Sequence, residues 1–269
     1  MKARKPEKSL VVGLDVGTSK IVAIVGEGQP DGTVEVIGIG SHPSTGLKRG
    51  VVVDMASTEQ AIQRAVEEAE LMAGCEIHSV YAGISGSHMR SLNSDGTVAI
   101  KDKEVSEGDV ERVLDAARAV PVAADQKILH VLPQEFVIDE HSGISAPVGL
   151  VGSRLEANVH IVTAGTTSIQ NLVTCANRAG IEVRDTVLEQ LAAAESALNE
   201  DEKELGVAMI DIGGGTTDLA IFDSEPLPRD LEELPELSRR FNARNGLITL
   251  NPKAPVKLPV CASPLAYTG

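Results

Sequence analysis

Two stretches of the chain share one pattern of apolar and polar positions. The apolar run Leu10-Val11-Val12-Gly13-Leu14 meets Asp15-Val16-Gly17-Thr18-Ser19-Lys20 and resumes as Ile21-Val22-Ala23-Ile24-Val25. Far downstream, Val207-Ala208-Met209-Ile210 meets Asp211-Ile212-Gly213-Gly214-Gly215-Thr216-Thr217-Asp218 and resumes as Leu219-Ala220-Ile221-Phe222. Each copy predicts a buried strand, a carboxylate, a glycine-hydroxyl turn and a second strand.

Between these hairpins the pattern predicts alternating strands and helices. Val34 to Gly40 alternates as a strand, and Gly46, Arg49 and Gly50 mark a turn before Val51. A helix is predicted from Ser57, with Gln60 completing a capping box. Its apolar stripe is Ile62, Ala65, Val66, Ala69, Met72 and Ala73, and Gly74 ends it. Ile77 to Ser85 reads as a strand. Gly96 to Ile100 is a short strand, a helix follows from Ser106 with Val110, Val113, Leu114 and Ala117 in phase, and Lys127–Ile138 and Leu155–Thr163 are strand-like. Strand-helix-strand-strand is the order of a small inserted α/β module, placed at 87–165. From Thr166 a helix turns Ile169, Leu172, Val173 and Ala176 inward and stops at Gly180; Ile181 to Val183 returns as a strand. Leu188 to Leu198 is Ala-rich and reads as a helix connecting two lobes.

Beyond Glu225 the pattern collapses, apart from a short amphipathic stretch at 230–241. Seven of the thirteen prolines fall there: Pro226, Pro228, Pro235, Pro252, Pro255, Pro259 and Pro264. That density predicts an irregular tail over 226–269.

Composition narrows the reading. Of 269 residues 42% are hydrophobic, yet aromatics supply 2% and Trp is absent. The core must rest on Val, Ile, Leu and Ala, as in sheets covered by helices. The formal net charge of −15 disfavours nucleic acid as a partner. Cys75, Cys175 and Cys261 are far apart, which points to reduced thiols in a cytoplasmic protein. The basic start Met1-Lys2-Ala3-Arg4-Lys5 precedes an apolar run that Asp15 breaks, so neither a signal peptide nor a membrane span is expected. The six histidines, His42, His78, His88, His130, His141 and His160, lack metal-ligand spacing; His130 and His160 read as structural groups inside strands.

The chemistry of the two turns suits a phosphate chain. Glycine lets the backbone approach closely, successive N–H groups form an anion-binding concavity, and hydroxyls add donors. An aspartate at the strand end can hold Mg²⁺ through its waters. A glycine-serine turn is also ordinary hairpin chemistry, but two copies sharing Asp-x-Gly-x-hydroxyl between apolar strands are hard to explain that way. No G-x-x-x-x-G-K-[ST] string occurs, so this is not a P-loop.

The pair resembles the phosphate-1 and phosphate-2 loops of the actin, Hsp70 and sugar-kinase superfamily. Further strings narrow the resemblance for residues 9–225 to the FtsA family of bacterial cell-division proteins: Ala69-Glu70-Leu71-Met72-Ala73, Leu129-His130-Val131-Leu132-Pro133-Gln134-Glu135, Gly149-Leu150-Val151-Gly152-Ser153-Arg154-Leu155 and Asp201-Glu202-Lys203-Glu204-Leu205-Gly206-Val207. The middle module resembles that family's SHS2-type subdomain 1C.

The resemblance implies an α/β, actin-like (ribonuclease H-like) ATPase domain with the inserted SHS2-type subdomain and an incomplete second lobe. Its parts would be 1–86 and 166–204 (subdomain 1A), 87–165 (1C), 205–225 (the start of 2A) and a non-matching tail over 226–269. It also implies an ATP-binding scaffold that tethers FtsZ filaments to the inner membrane, self-associates into filaments and recruits later divisome proteins at the cytoplasmic face. Catalysis would be at most a weak ATPase. By match, Gly17, Thr18, Ser19 and Lys20, with Gly213, Gly214, Gly215, Thr216 and Thr217, would cradle the phosphates of ATP. Asp15 and Asp211 would orient Mg²⁺ through water. Glu189 falls where superfamily relatives position a catalytic water, and it equally suits a helix start on dipole grounds. The family's remaining second lobe and its membrane-anchoring helix find no match in 226–269, which suggests a truncated or altered chain. Two alternatives stay open: an actin-like pilus-assembly protein that shares the insert, and a small-molecule kinase of the superfamily. For the kinase no substrate-facing base is readable in the first domain.

Overall fold

The computed structural model describes residues 10–222 and 247–250. The chain begins as an antiparallel meander: β1 (Leu10–Val16), β2 (Lys20–Gly28) and β3 (Val34–Pro43). A two-stranded ribbon, β4 (Leu47–Lys48) and β5 (Val51–Val52), leads into helix α1 (Met55–Ala73). Next come β6 (Ser79–Ile84), then β7 (Met89–Ala99), α2 (Glu107–Arg118), β8 (Gln126–Ile138), β9 (His141–Ile144) and β10 (Arg154–Gly165). Helix α3 (Thr166–Arg178), β11 (Glu182–Leu188), α4 (Glu189–Ala197) and α5 (Glu200–Leu205) precede the second hairpin, β12 (Val207–Ile212) and β13 (Thr217–Phe222). A last strand, β14, is Leu247–Leu250.

Five strands form the first sheet in the order β11-β6-β1-β2-β3, with β6 parallel to both β1 and β11. Alternation in β1 and β2 puts Val12, Leu14, Val16, Ile21, Ala23 and Val25 on one buried face. Helix α1 covers that face and approaches β3 closely. A Cβ at Gly38 would stand 2.7 Å from the Ala69 carbonyl oxygen and from the Ala73 methyl, and one at Gly40 would strike the Ala65 carbonyl. Small residues on both sides allow this contact. Of the expected stripe on α1, Ile62, Ala65, Val66 and Ala69 are buried, while Met72 keeps 63% of its surface.

The second sheet has the order β7-β10-β8-β9 and a separate core. Leu155, Ala157, Val159 and Ile161 of β10 face Val113 and Ala117 of α2, all essentially solvent-free. At the root of this unit Val162 and Ala164 pass into the main core, beside Ile169 and Leu172 of α3. The strand expected over Gly96 to Ile100 is the end of a longer β7, and the short, exposed β9 was not expected.

Other differences have local causes. Helix α1 starts at Met55, not Ser57. Asp54 caps it by accepting from the Ala56 and Ser57 N–H groups, and its second carboxylate oxygen accepts from the Ser57 hydroxyl at 2.7 Å. Helix α5 is closed by a capping box between Asn199 and Glu202 that the sequence reading passed over. The irregular tail expected past Glu225 is corrected at one place: β14 pairs in parallel with β13, giving a three-stranded sheet β12-β13-β14. The rest of 226–269, including the stretch at 230–241 and Cys261, lies outside the described residues.

Candidate functional site

The two glycine turns close β1–β2 and β12–β13, and the last strand pairs before them are Val16 with Ile21 and Ile212 with Thr217. The first turn is pinned from outside. The Gly50 N–H donates to the Thr18 hydroxyl at 3.1 Å, and the Ser44 N–H donates to the Ser19 carbonyl at 3.0 Å. The second is closed by the Gly213 N–H donating to the Thr216 carbonyl at 2.9 Å.

The fold then sets the turns against each other. A Cβ on Gly214 would stand 2.7 Å from the Ser19 Cβ, and one on Gly215 would stand 2.7 Å from Thr18 Cγ2 and 2.8 Å from its hydroxyl oxygen. Only glycine permits this approach. Thr18, Ser19, Gly214 and Gly215 therefore form one cradle that any side chain would fill. Lys20 opens β2 beside Gly17, whose Cβ would meet the Lys20 carbonyl at 2.8 Å.

Carboxylates converge behind the cradle. Asp15 keeps exposed surface as a residue, but crowding around its carboxyl raises its pKa first by desolvation and then through Asp211, while Lys20 pulls it down. Asp211 pairs directly across the hairpin with Asp218. Asp218 is 6% exposed, and its pKa is pushed to about 6 by burial and the Asp211 charge, against a hydrogen bond from Thr216. Glu189 begins α4 where β11 ends, with its Oε1 3.0 Å from the position of a Cβ on Gly83. Burial and the charges of Asp15, Asp218 and Asp211 raise Glu189 to about 8, opposed by a hydrogen bond from Ser85. Like charges in poor contact with water make each ionisation harder.

Asp218 was not picked out from the sequence. The signal was present: aligning the two turns by register puts Asp218 opposite Asp211, where the first hairpin has Val22 opposite Asp15. Among the described residues no three His, Cys, Asp or Glu side chains stand close enough to ligate a metal directly. His130 accepts from the Leu188 N–H at 3.0 Å through Nε2, and burial drives its pKa down to about 4. His160 contacts Asn93 through Nδ1 at 2.7 Å and is also lowered to about 4 by burial.

Comparisons with known proteins agree with this architecture. The family described as "SHS2 domain inserted in FTSA" matches residues 86–163. The chain is 61% identical to the cell division protein FtsA of Pseudomonas aeruginosa over 213 residues, covering 79% of this chain and 51% of that protein. It is 46% identical to FtsA of Escherichia coli K12 over 216 residues, covering 80% of this chain and 51% of that protein. The chain thus spans about half the length of the curated relatives it matches. Among solved structures, the PilM–PilN type IV pilus biogenesis complex aligns with a TM-score of 0.54 at 19% identity, over 81% of this chain and 60% of that one, which is a likeness of fold. Across four-fifths of its length, then, this chain resembles the FtsA cell-division proteins, with an actin-like fold, the inserted SHS2 domain of FtsA and an incomplete second lobe.

Proposed function

We propose that this chain carries the phosphate-binding part of an actin-like cell-division protein, and that it holds ATP and Mg²⁺ between its two glycine turns. The observation that carries the reading is the face-to-face cradle of Thr18 and Ser19 against Gly214 and Gly215, with carboxylates directly behind it. Backbone and hydroxyl donors of Gly17, Thr18 and Ser19 and of Gly213 to Thr217, together with Lys20, would hold the phosphates. Asp15 and Asp211 would accept from the water shell of Mg²⁺, which suits a site without three close ligands. The ion would neutralise phosphate charge and orient the chain of phosphates.

Glu189 would hold the attacking water of a slow ATPase. Bound Mg²⁺ would offset the charge of Asp15 and Asp211 and favour the ionised form of Glu189 that can accept a proton. Asp218, buried beside Asp211, would keep Asp211 oriented.

The module boundaries proposed are 1–86 with 166–204, 87–165 and 205–225. By the resemblance, the whole protein would tether FtsZ filaments to the inner membrane, assemble with copies of itself and recruit divisome proteins. Among the described residues no helix is long and apolar enough to cross a membrane. Identity to FtsA proteins of 61% and 46% supports division over pilus assembly.

The test is an amide NMR titration of the ¹⁵N-labelled chain with Mg-ATP. Signals of Gly17, Thr18, Gly214 and Gly215 should move together, and less with Mg-AMP. Shifts confined to one turn, or to residues outside both, would overturn the reading.

A further inference from the structure

Directly beneath the first turn lies a small pocket lined by Val16, Gly50, Ser85, His88, Ser168 and Glu189, among others. It lies where several parts of the fold meet. Val16 ends β1, Gly50 is the residue that ties down Thr18, Ser85 follows β6, Ser168 is in the first turn of α3, and Glu189 starts α4. His88 stands one residue before β7, at the root of the inserted unit. A Cβ on Gly165, the last residue of β10, would lie 3.3 Å from the His88 Cβ and 3.5 Å from its Cδ2. His88, at the start of the strand that leaves the parent sheet, therefore packs against the end of the strand that returns to it.

Both ring nitrogens of His88 are out of contact with solvent, and neither meets a hydrogen-bond partner among the described residues. A neutral imidazole carries one donor and one acceptor, and buried polar groups in folded proteins are paired with protein or with ordered water. Burial lowers the His88 pKa, which keeps the ring neutral. The other polar groups lining the pocket are the Ser85 and Ser168 hydroxyls and the Glu189 carboxyl, and Ser85 already bonds Glu189. A bound water needs two to four such partners. The pocket supplies them from three separate segments, the β6–β7 connection, α3 and α4.

We propose that His88 is a positioning residue for Glu189, joined to it by a water molecule that the Ser85 and Ser168 hydroxyls hold in this pocket. The role assigned to His88 rests on the reading of Glu189 as the group that holds the attacking water. Its consequence is mechanical. Any rotation of the inserted sheet about its root moves His88 against Gly165, shifts the water, and re-aims the Glu189 carboxyl toward or away from the first turn. Nucleotide chemistry and the orientation of the insert would then be coupled through one imidazole.

The test reads the ¹⁵N signals of the His88 ring in the whole chain without nucleotide. A single tautomer is expected. Glu189→Gln and Ser168→Ala should each move the His88 ring signals, and neither should move those of His160, which contacts Asn93 and does not line this pocket. In the reverse direction, His88→Leu should shift the Glu189 amide, and His88→Gln, which keeps a donor and an acceptor, should restore most of that shift. A ring averaged between two tautomers and indifferent to both substitutions would overturn the proposal. So would equal shifts of the Glu189 amide in His88→Leu and His88→Gln, since a role in packing alone predicts that result. Because no ATP is used, failure of the nucleotide reading would register in the Mg-ATP titration and leave these signals unaffected.

Discussion

Replacing Glu189 by glutamine removes the ionisation most strongly opposed by its surroundings while keeping its shape. The folded-state pKa stands at about 8, against 4.5 for the free group. A raised carboxyl pKa means that the native state binds the proton more tightly than the unfolded chain. Its contribution to stability is complete below about pH 4.5 and is lost progressively as pH rises to about 8. The full shift, at ~1.36 kcal/mol per pK unit, sets a ceiling of about 5 kcal/mol. Part of the shift comes from Asp15, Asp211 and Asp218, and Asp15 is exposed enough for solvent to screen its charge, so on the order of 2–3 kcal/mol is expected. Urea unfolding of the wild-type chain and of Glu189→Gln, followed by circular dichroism at pH values from 4.5 to 8.5, measures this directly. The two should be nearly equal at the acid end, with the variant gaining steadily as pH rises. A stability difference that does not change with pH, or one that favours wild type more at pH 8 than at pH 5, would refute the buried-carboxylate argument.

Three further outcomes follow from the geometry. Gly40→Ala forces a methyl into the Ala65 carbonyl of α1 and should cost about 3 kcal/mol, at the upper end for overpacking, read as a drop in urea midpoint; an unchanged midpoint would mean that the helix lies farther from β3. His130→Phe leaves the Leu188 N–H without its acceptor and should destabilise by about 1–3 kcal/mol at pH 7. Because the His130 pKa is lowered to about 4, wild-type stability should also fall as pH drops from about 6.5 to 4, and that part of the fall should vanish in the variant. Asp54→Ala removes the cap of α1 and should cost about 1 kcal/mol, whereas Ser57→Ala should cost much less if Asp54 is the true cap.

What the sequence disclosed and what it hid have physical causes. The two hairpins were legible because apolar runs on both sides leave a glycine-hydroxyl turn little choice of structure. That Gly214 and Gly215 lie against Ser19 and Thr18 was not legible, since it depends on how β12 and β13 seat against the first sheet. Two capping signals competed before α1. Ser57 with Gln60 fits the rule for a box, but Asp54 offers two carboxylate oxygens and satisfies three donors. The Asn199–Glu202 box was equally readable and went unused, because the acidic run around it has too few apolar positions to show a helical period. Proline density past Glu225 outweighed the apolar, β-favouring Leu247-Ile248-Thr249-Leu250, which found a partner in β13. His88 had no signal at all in the sequence. Its isolation comes from the meeting of β7, β10 and α3 around one ring, and periodicity does not report such a meeting.

The central claim is that the facing glycine turns bind nucleotide phosphates. Titration calorimetry with Mg-ATP tests it most directly, on this chain and on the chain extended by the second half of the Pseudomonas aeruginosa relative, each with and without Gly215→Val. That side chain would drive into Thr18 and part the two turns while leaving β1–β2 and α1 in place. Binding by the extended chain that falls at least about tenfold, ~1.4 kcal/mol, in Gly215→Val is the expected result. Equal binding with and without the valine, or none in any chain, would contradict the account.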